Sequence, residues 1–133
     1  MNRVFTAILP IWLLLLLALL VLQFALAGFG VGYGGGIGDG FEPHFVNGDV
    51  LLYLYLAAIP LALAARIGPR LPWLSALGAF LVLLQHGMAL VSVPGTLFGQ
   101  SLFLFHALNG LALIFLTARS HSLARKAMRA PAD

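Results

Sequence analysis

Four histidines carry most of the chemistry open to this chain: His44, His86, His106 and His121. Imidazole is the usual neutral axial ligand of haem iron, and it also carries protons near neutral pH. The chain has no cysteine, which excludes disulfides, iron–sulfur clusters, thiolate metal sites and C-x-x-C-H haem attachment. A cofactor has to be held by histidine, carboxylate or neutral polar groups. His106 is the best placed, because Asn109 and Gly110 follow it at helical spacing. His44 is followed by Gly48 at the same four-residue interval. A glycine one turn from a histidine lets a flat macrocycle approach the backbone. His106, His44 and His86 are therefore the candidate axial ligands of a b-type haem serving electron transfer. Gln85, Asn109, Gly48 and Gly110 are the candidate lining. The alternative chemistry is none: His106, Asn109, Gln85 and Gln23 hydrogen-bond one another across helices and hold together a cofactor-free accessory or assembly subunit.

The elements that position these residues are membrane spans. A 133-residue chain that is 62% hydrophobic and 8% charged cannot hide its apolar surface in a water-soluble core of that size. Four apolar runs stand out, 4–27, 43–65, 71–93 and 96–118, each long enough to cross about 30 Å of hydrocarbon as a helix. The basic residues take sides. Arg3 precedes the first run, Arg66 and Arg70 lie between the second and third, and Arg119, Arg125, Lys126 and Arg129 follow the fourth. Asp39, Glu42 and Asp49 lie at the opposite ends. Short loops rich in Lys and Arg remain cytoplasmic. The expected fold is thus an all-α integral membrane four-helix bundle of the bacterial inner membrane, a single domain with both termini cytoplasmic. The net charge of +3 reflects topological anchors beside anionic lipid, not nucleic-acid binding. Partners are the bilayer and either a larger membrane complex or further copies of the chain.

The connections are distinctive. The segment 28–42 is a glycine-rich outer loop, with eight glycines in the thirteen positions 28–40. Its Gly30-x-Gly32-x-x-Gly35 matches a nucleotide-binding string, but no strand precedes it and no βαβ unit surrounds it. Ala25-Leu26-Ala27 is a small-x-small pattern at which a signal peptidase would cut; the long apolar run favours a retained span. Pro43 suits a helix start, Pro60 a kink, and Arg66-Ile67-Gly68-Pro69-Arg70 a short inner turn. Pro94-Gly95 makes the outer turn, and 119–133 is a basic tail in which His121 is unremarkable. Asp39, Glu42 and Asp49 read as a solvated acidic entrance rather than a metal site.

Polar side chains in a bilayer turn toward the bundle. Ser75, Gly78, Val82, Gln85, Ala89 and Ser92 form one stripe, as do His44, Gly48, Leu51, Tyr55, Ala58 and Ala62. A third comprises Gly99, His106, Asn109, Gly110, Leu113 and Thr117, with Gln23 marking the inner face of the first span. Measured from the outer end of each span, Gln23 lies about 6 Å deep, Gln85 about 12 Å and His106 about 15 Å. His44 sits at the boundary, about 15 Å shallower than His106 by the same measure, which counts against it as an axial partner. His86 matches His106 in depth but lies off the stripe.

These residues carry a resemblance that covers nearly the whole chain. Gln23-Phe24 with Ala27-Gly28, His44 four residues before Gly48, Gln85, and His106-Ala107-Leu108-Asn109 resemble a family of small bacterial four-helix membrane proteins of unknown function. The glycine-rich insert departs from that family's shorter first loop. The resemblance implies the architecture and a retained first span, and no reaction. No Ser-His-Asp arrangement, H-E-x-x-H or buried carboxylate pair argues for an enzyme.

Overall fold

The computed structural model describes residues 2–33, 40–92 and 95–129. They form four helices: α1 (Arg3–Gly32), α2 (Glu42–Ala65), α3 (Arg70–Val91) and α4 (Leu97–Arg129). All four are long and apolar enough to cross a membrane. Each helix packs on two others to close a ring, α1 on α2, α2 on α3, α3 on α4 and α4 on α1. The pairs α1/α3 and α2/α4 are therefore diagonal.

Packing follows the inward stripes. Leu9, Leu13, Leu16 and Leu20 recur every three to four residues along α1 and are at most 2% exposed; Gln23 continues that face toward the outer end. Opposite them lie Leu51, Tyr55, Ala58 and Ala62 of α2, with Ser75, Ala79 and Val82 of α3 and Leu113 and Thr117 of α4. The remaining faces are bare and apolar, as at Ile11, Trp73, Phe80 and Phe115, which is what lipid contact requires. Cutting the chain after Ala27 would remove the whole α1 leucine row from this core.

Small residues let polar groups cross between helices. The Tyr55 ring lies over Gly78, where a Cβ would fall inside it. Its hydroxyl donates to Thr117, whose own hydrogen goes to the Leu113 carbonyl at 2.7 Å. Trp12 Nε1 donates to the Leu54 carbonyl at 3.0 Å. In a bilayer each such bond is worth about 0.6–2 kcal/mol.

Two helices outrun the expected spans. α1 continues five residues past Ala27, to Gly32, because Gly30 takes the Phe41 ring against its bare Cα. α4 continues through the basic segment to Arg129, burying Ser120 and Ala124. His121 is correspondingly not a free tail residue: its Nδ1 donates to the Pro10 carbonyl at 2.8 Å and ties α4 to α1. The turn between α2 and α3 closes through Arg66 at φ 54° and Gly68 at φ 116°. Between α3 and α4 Gly95 takes φ 77°, a left-handed conformation that glycine adopts without strain. Gly34, Gly35, Asp39, Pro94 and the chain beyond Arg129 lie outside the described residues.

Candidate functional site

The polar groups of the bundle converge at the end where α1 and α3 finish and α2 and α4 begin. His44 of α2 and His106 of α4 meet across the diagonal, their ring centroids 6.2 Å apart and their planes tilted by 38°. The depth argument against this pair fails for a simple reason: the helices do not start at one height. Gln23, the twenty-first residue of α1, pairs with His44, only the third residue of α2. α1 therefore projects beyond α2. By the same token His106, nine residues into α4, sits level with His44 because α4 begins farther out.

His44 is held firmly. Its Nδ1 faces the Gln23 carbonyl at 3.1 Å and so carries the hydrogen, while Gln23 Nε2 donates to the His44 carbonyl at 2.9 Å. Asn47 donates to Gln23 Oε1 at 2.6 Å and to the Leu19 carbonyl at 3.0 Å. A neutral His44 thereby presents Nε2 as its unprotonated nitrogen, the arrangement of a metal-ligating histidine with its other nitrogen fixed by a carbonyl. His106 is held less well. Its Nδ1 is buried without a hydrogen-bond partner, and so is Gln85 Oε1 beside it. The backbone of Gln85 also faces the His106 ring.

His86 stands apart. Its Nδ1 lies 2.9 Å from the Val82 carbonyl and its Nε2 3.0 Å from Asp49 Oδ1. Both ring nitrogens are engaged, so neither is open to a metal. Asn109 donates to the Leu81 carbonyl at 2.9 Å. Hence the expected mutual network of His106, Asn109, Gln85 and Gln23 does not form: Gln23 serves His44 and Asn47, and Asn109 serves α3.

Haem can be tested against this geometry. His44 and His106, with ring centroids 6.2 Å apart, are the residues that would hold a haem iron, and the group would supply one-electron transfer there. Room for the macrocycle has to come from side chains that now fill the two glycine notches. Phe24 and Gln85 approach within 3.0 and 3.3 Å of a Cβ position on Gly110; Gln23 and His86 approach within 3.5 and 3.7 Å of one on Gly48. Phe24 and Gln85 are single side chains that could turn away from Gly110, whereas Gln23 and His86 at Gly48 are both held by hydrogen bonds. No group of three or more His, Asp or Glu that would hold a bare metal ion occurs among the described residues.

The sequence did not point to Asn47, since one asparagine near a helix start reads as solvated. It did not show the Asp49–His86 pair either, although nearly equal distances along α2 and α3 from the turn at Arg66–Arg70 put them at one height. No protein-family model, curated protein or solved structure matches the chain.

Proposed function

We propose that this is a four-pass protein of the bacterial inner membrane, both ends cytoplasmic, that binds a b-type haem between His44 and His106 near its outer face. The observation that carries the reading is the 6.2 Å imidazole pair on diagonal helices with a buried, unpartnered nitrogen at His106. Cofactor sites in four-helix bundles are built from such inward side chains on facing helices. When bound, the group supplies one-electron transfer. The chain's part is positional. Gln23 fixes the tautomer and angle of His44, Asn47 fixes Gln23, and the Gly110 notch would give clearance once Phe24 and Gln85 turn away from it.

The reading is tested by adding hemin to haem-depleted protein in detergent. A Soret band should grow linearly and stop at one equivalent per chain. Growth without an end point marks nonspecific partitioning into micelles and counts against a site.

A second reading has its own support. The notches at Gly48 and Gly110 are filled by the chain's own side chains, as a cofactor-free accessory or assembly subunit would have them. Its exposed apolar faces would then meet a larger complex or further copies. The topology is common to both readings and rests on the basic residues. Reporter fusions after Arg66 and after Arg125 should read cytoplasmic, and one at Gly36 external. A fusion at Gly36 that reads cytoplasmic would contradict the topology.

A further inference from the structure

We propose that the last two turns of α4 form a binding site for the phosphate of one anionic phospholipid, made by Ser122, Arg125, Lys126 and Arg129. These four, with His121, line an open cleft of about 240 Å³. Pockets for whole drug-sized molecules run to about 300–1,000 Å³, so the cleft suits a headgroup phosphate whose acyl chains stay outside it in lipid. Residues three and four apart on a helix are surface neighbours, which puts Ser122 beside Arg125 and Lys126, and Arg125 beside Arg129. Ser120 and Ala124 point the other way and are buried in the bundle. The basic face is therefore turned outward. Arginine grips phosphate oxygens in pairs through its planar fork, and lysine adds a point charge.

A charge run at a helix end is usually a solvated tail, and three observations set this one apart. The first is height. His121 Nδ1 donates to the Pro10 carbonyl at 2.8 Å, and Phe24 lies against Gly110, so α1 and α4 run antiparallel in a fixed register. Arg125 and Arg129 therefore stand beside the first two turns of α1, not beyond them. α2 ends at the same level, since Asn2 N donates to the Ala65 carbonyl at 3.3 Å. Basic side chains held outward at that level meet the headgroup layer of a bilayer. The second is charge. Arg125, Lys126 and Arg129 form no ion pair with a described residue, and the described acids, Glu42 and Asp49, belong to the opposite end. The helix C-terminus carries about half an elementary charge of opposite sign, too little to neutralise them. The third is Ser122. Every other described serine or threonine within the four helices bonds a carbonyl one turn back, at Thr6, Ser75, Ser101, Thr117 and Ser120. The Ser122 hydroxyl makes no such bond and is left to donate to a phosphate oxygen. Only the leaflet rests on the proposed topology; the site depends neither on that topology nor on haem.

The test counts lipid. Protein purified in a nonionic detergent is mixed with equal amounts of dioleoyl phosphatidylglycerol and dioleoyl phosphatidylcholine, and retained lipid is read by native mass spectrometry. The wild type should keep one phosphatidylglycerol per chain in preference to the zwitterionic lipid. Arg125→Gln with Arg129→Gln should weaken retention about fivefold for each charge removed. Arg66→Gln with Arg70→Gln removes two charges at the same end and should leave retention unchanged. Equal losses in the two double variants overturn the proposal, because a diffuse field would then explain the binding. Ser122→Ala alters no charge and should still weaken retention; full retention overturns the site as drawn. Thermal unfolding in the same detergent checks that each variant is folded. Arg125→Lys with Arg129→Lys keeps the charge and loses the paired donors, so its loss should fall between wild type and the glutamine pair. Excess inorganic phosphate separates the two sources of one chemistry. A lipid site keeps its phosphatidylglycerol, whose acyl chains add contacts that free phosphate lacks, and complete displacement overturns the lipid assignment. Equal retention of the two lipids by wild type overturns the proposal outright, whatever the Soret spectrum or the reporter fusions show.

Discussion

Replacing His106 with alanine should erase the low-spin spectrum of the haem-loaded protein. His106 is the only inward imidazole that α4 offers at the outer end, and no cysteine exists to replace it. Met88, the one buried methionine among the described residues, lies on α3, whereas the diagonal partner of His44 must come from α4. His44→Ala should leave a five-coordinate or water-ligated spectrum, since His106 would remain. His86→Ala should leave the spectrum nearly intact, because both His86 nitrogens already have partners. A spectrum lost in His86→Ala and kept in His44→Ala would reverse the ligand assignment. Without haem, His106→Leu should be close to neutral for stability. It removes a buried nitrogen that has no partner, and substituting an apolar group for an unsatisfied polar one costs little.

Gly78→Ala should be among the most damaging single-methyl additions in the chain. Any Cβ there falls inside the ring of Tyr55, which is 2% exposed and anchored through its hydroxyl to Thr117. The ring has nowhere to go without breaking that bond, so overpacking should cost about 1–3 kcal/mol. Helix propensity alone would favour alanine by about 1 kcal/mol, so the sign of the change is itself diagnostic. Gly87→Ala on the same helix is the control. Nothing lies within 4 Å of its Cβ position, and thermal stability in detergent should hold or rise. Equal effects at both glycines would contradict the close α2–α3 approach.

The inward faces were legible because each was written twice, in small or polar residues at helical spacing and in bare apolar residues between them. Ser75, Gly78 and Val82, or Leu51, Tyr55 and Ala58, are buried as their spacing predicts. The helix ends were less so. Glycines at 28, 30 and 32 argue for a loop on backbone entropy, yet α1 runs through them, and Gly30 is needed to seat Phe41. Arg119 ends the apolar run but not the helix. An arginine on a lipid-facing surface can extend toward the headgroups, while Ser120 and Ala124 keep their inward places. This error at the ends produced the error in depth. Distances counted from the end of each span assumed a common height, and only the cross-helix bonds of Gln23 and Asn47 reveal the stagger. The His44–His106 contact was therefore suggested by stripe and denied by depth, and the stripe was the better guide. The polar partners were least legible of all. Many side-chain bonds go to backbone carbonyls, at Leu19, Leu54, Leu81 and Pro10, and a carbonyl has no signature in a sequence.

The absorption spectrum of detergent-purified protein from haem-replete cells, recorded oxidised and after dithionite, tests the central claim most directly. The paired-imidazole account predicts a low-spin Soret band that sharpens and shifts to longer wavelength on reduction, with one haem per chain. Protein made with ample haem that shows no Soret absorbance in either state would contradict it, and would leave a cofactor-free bundle held by Gln23, His44 and Asn47.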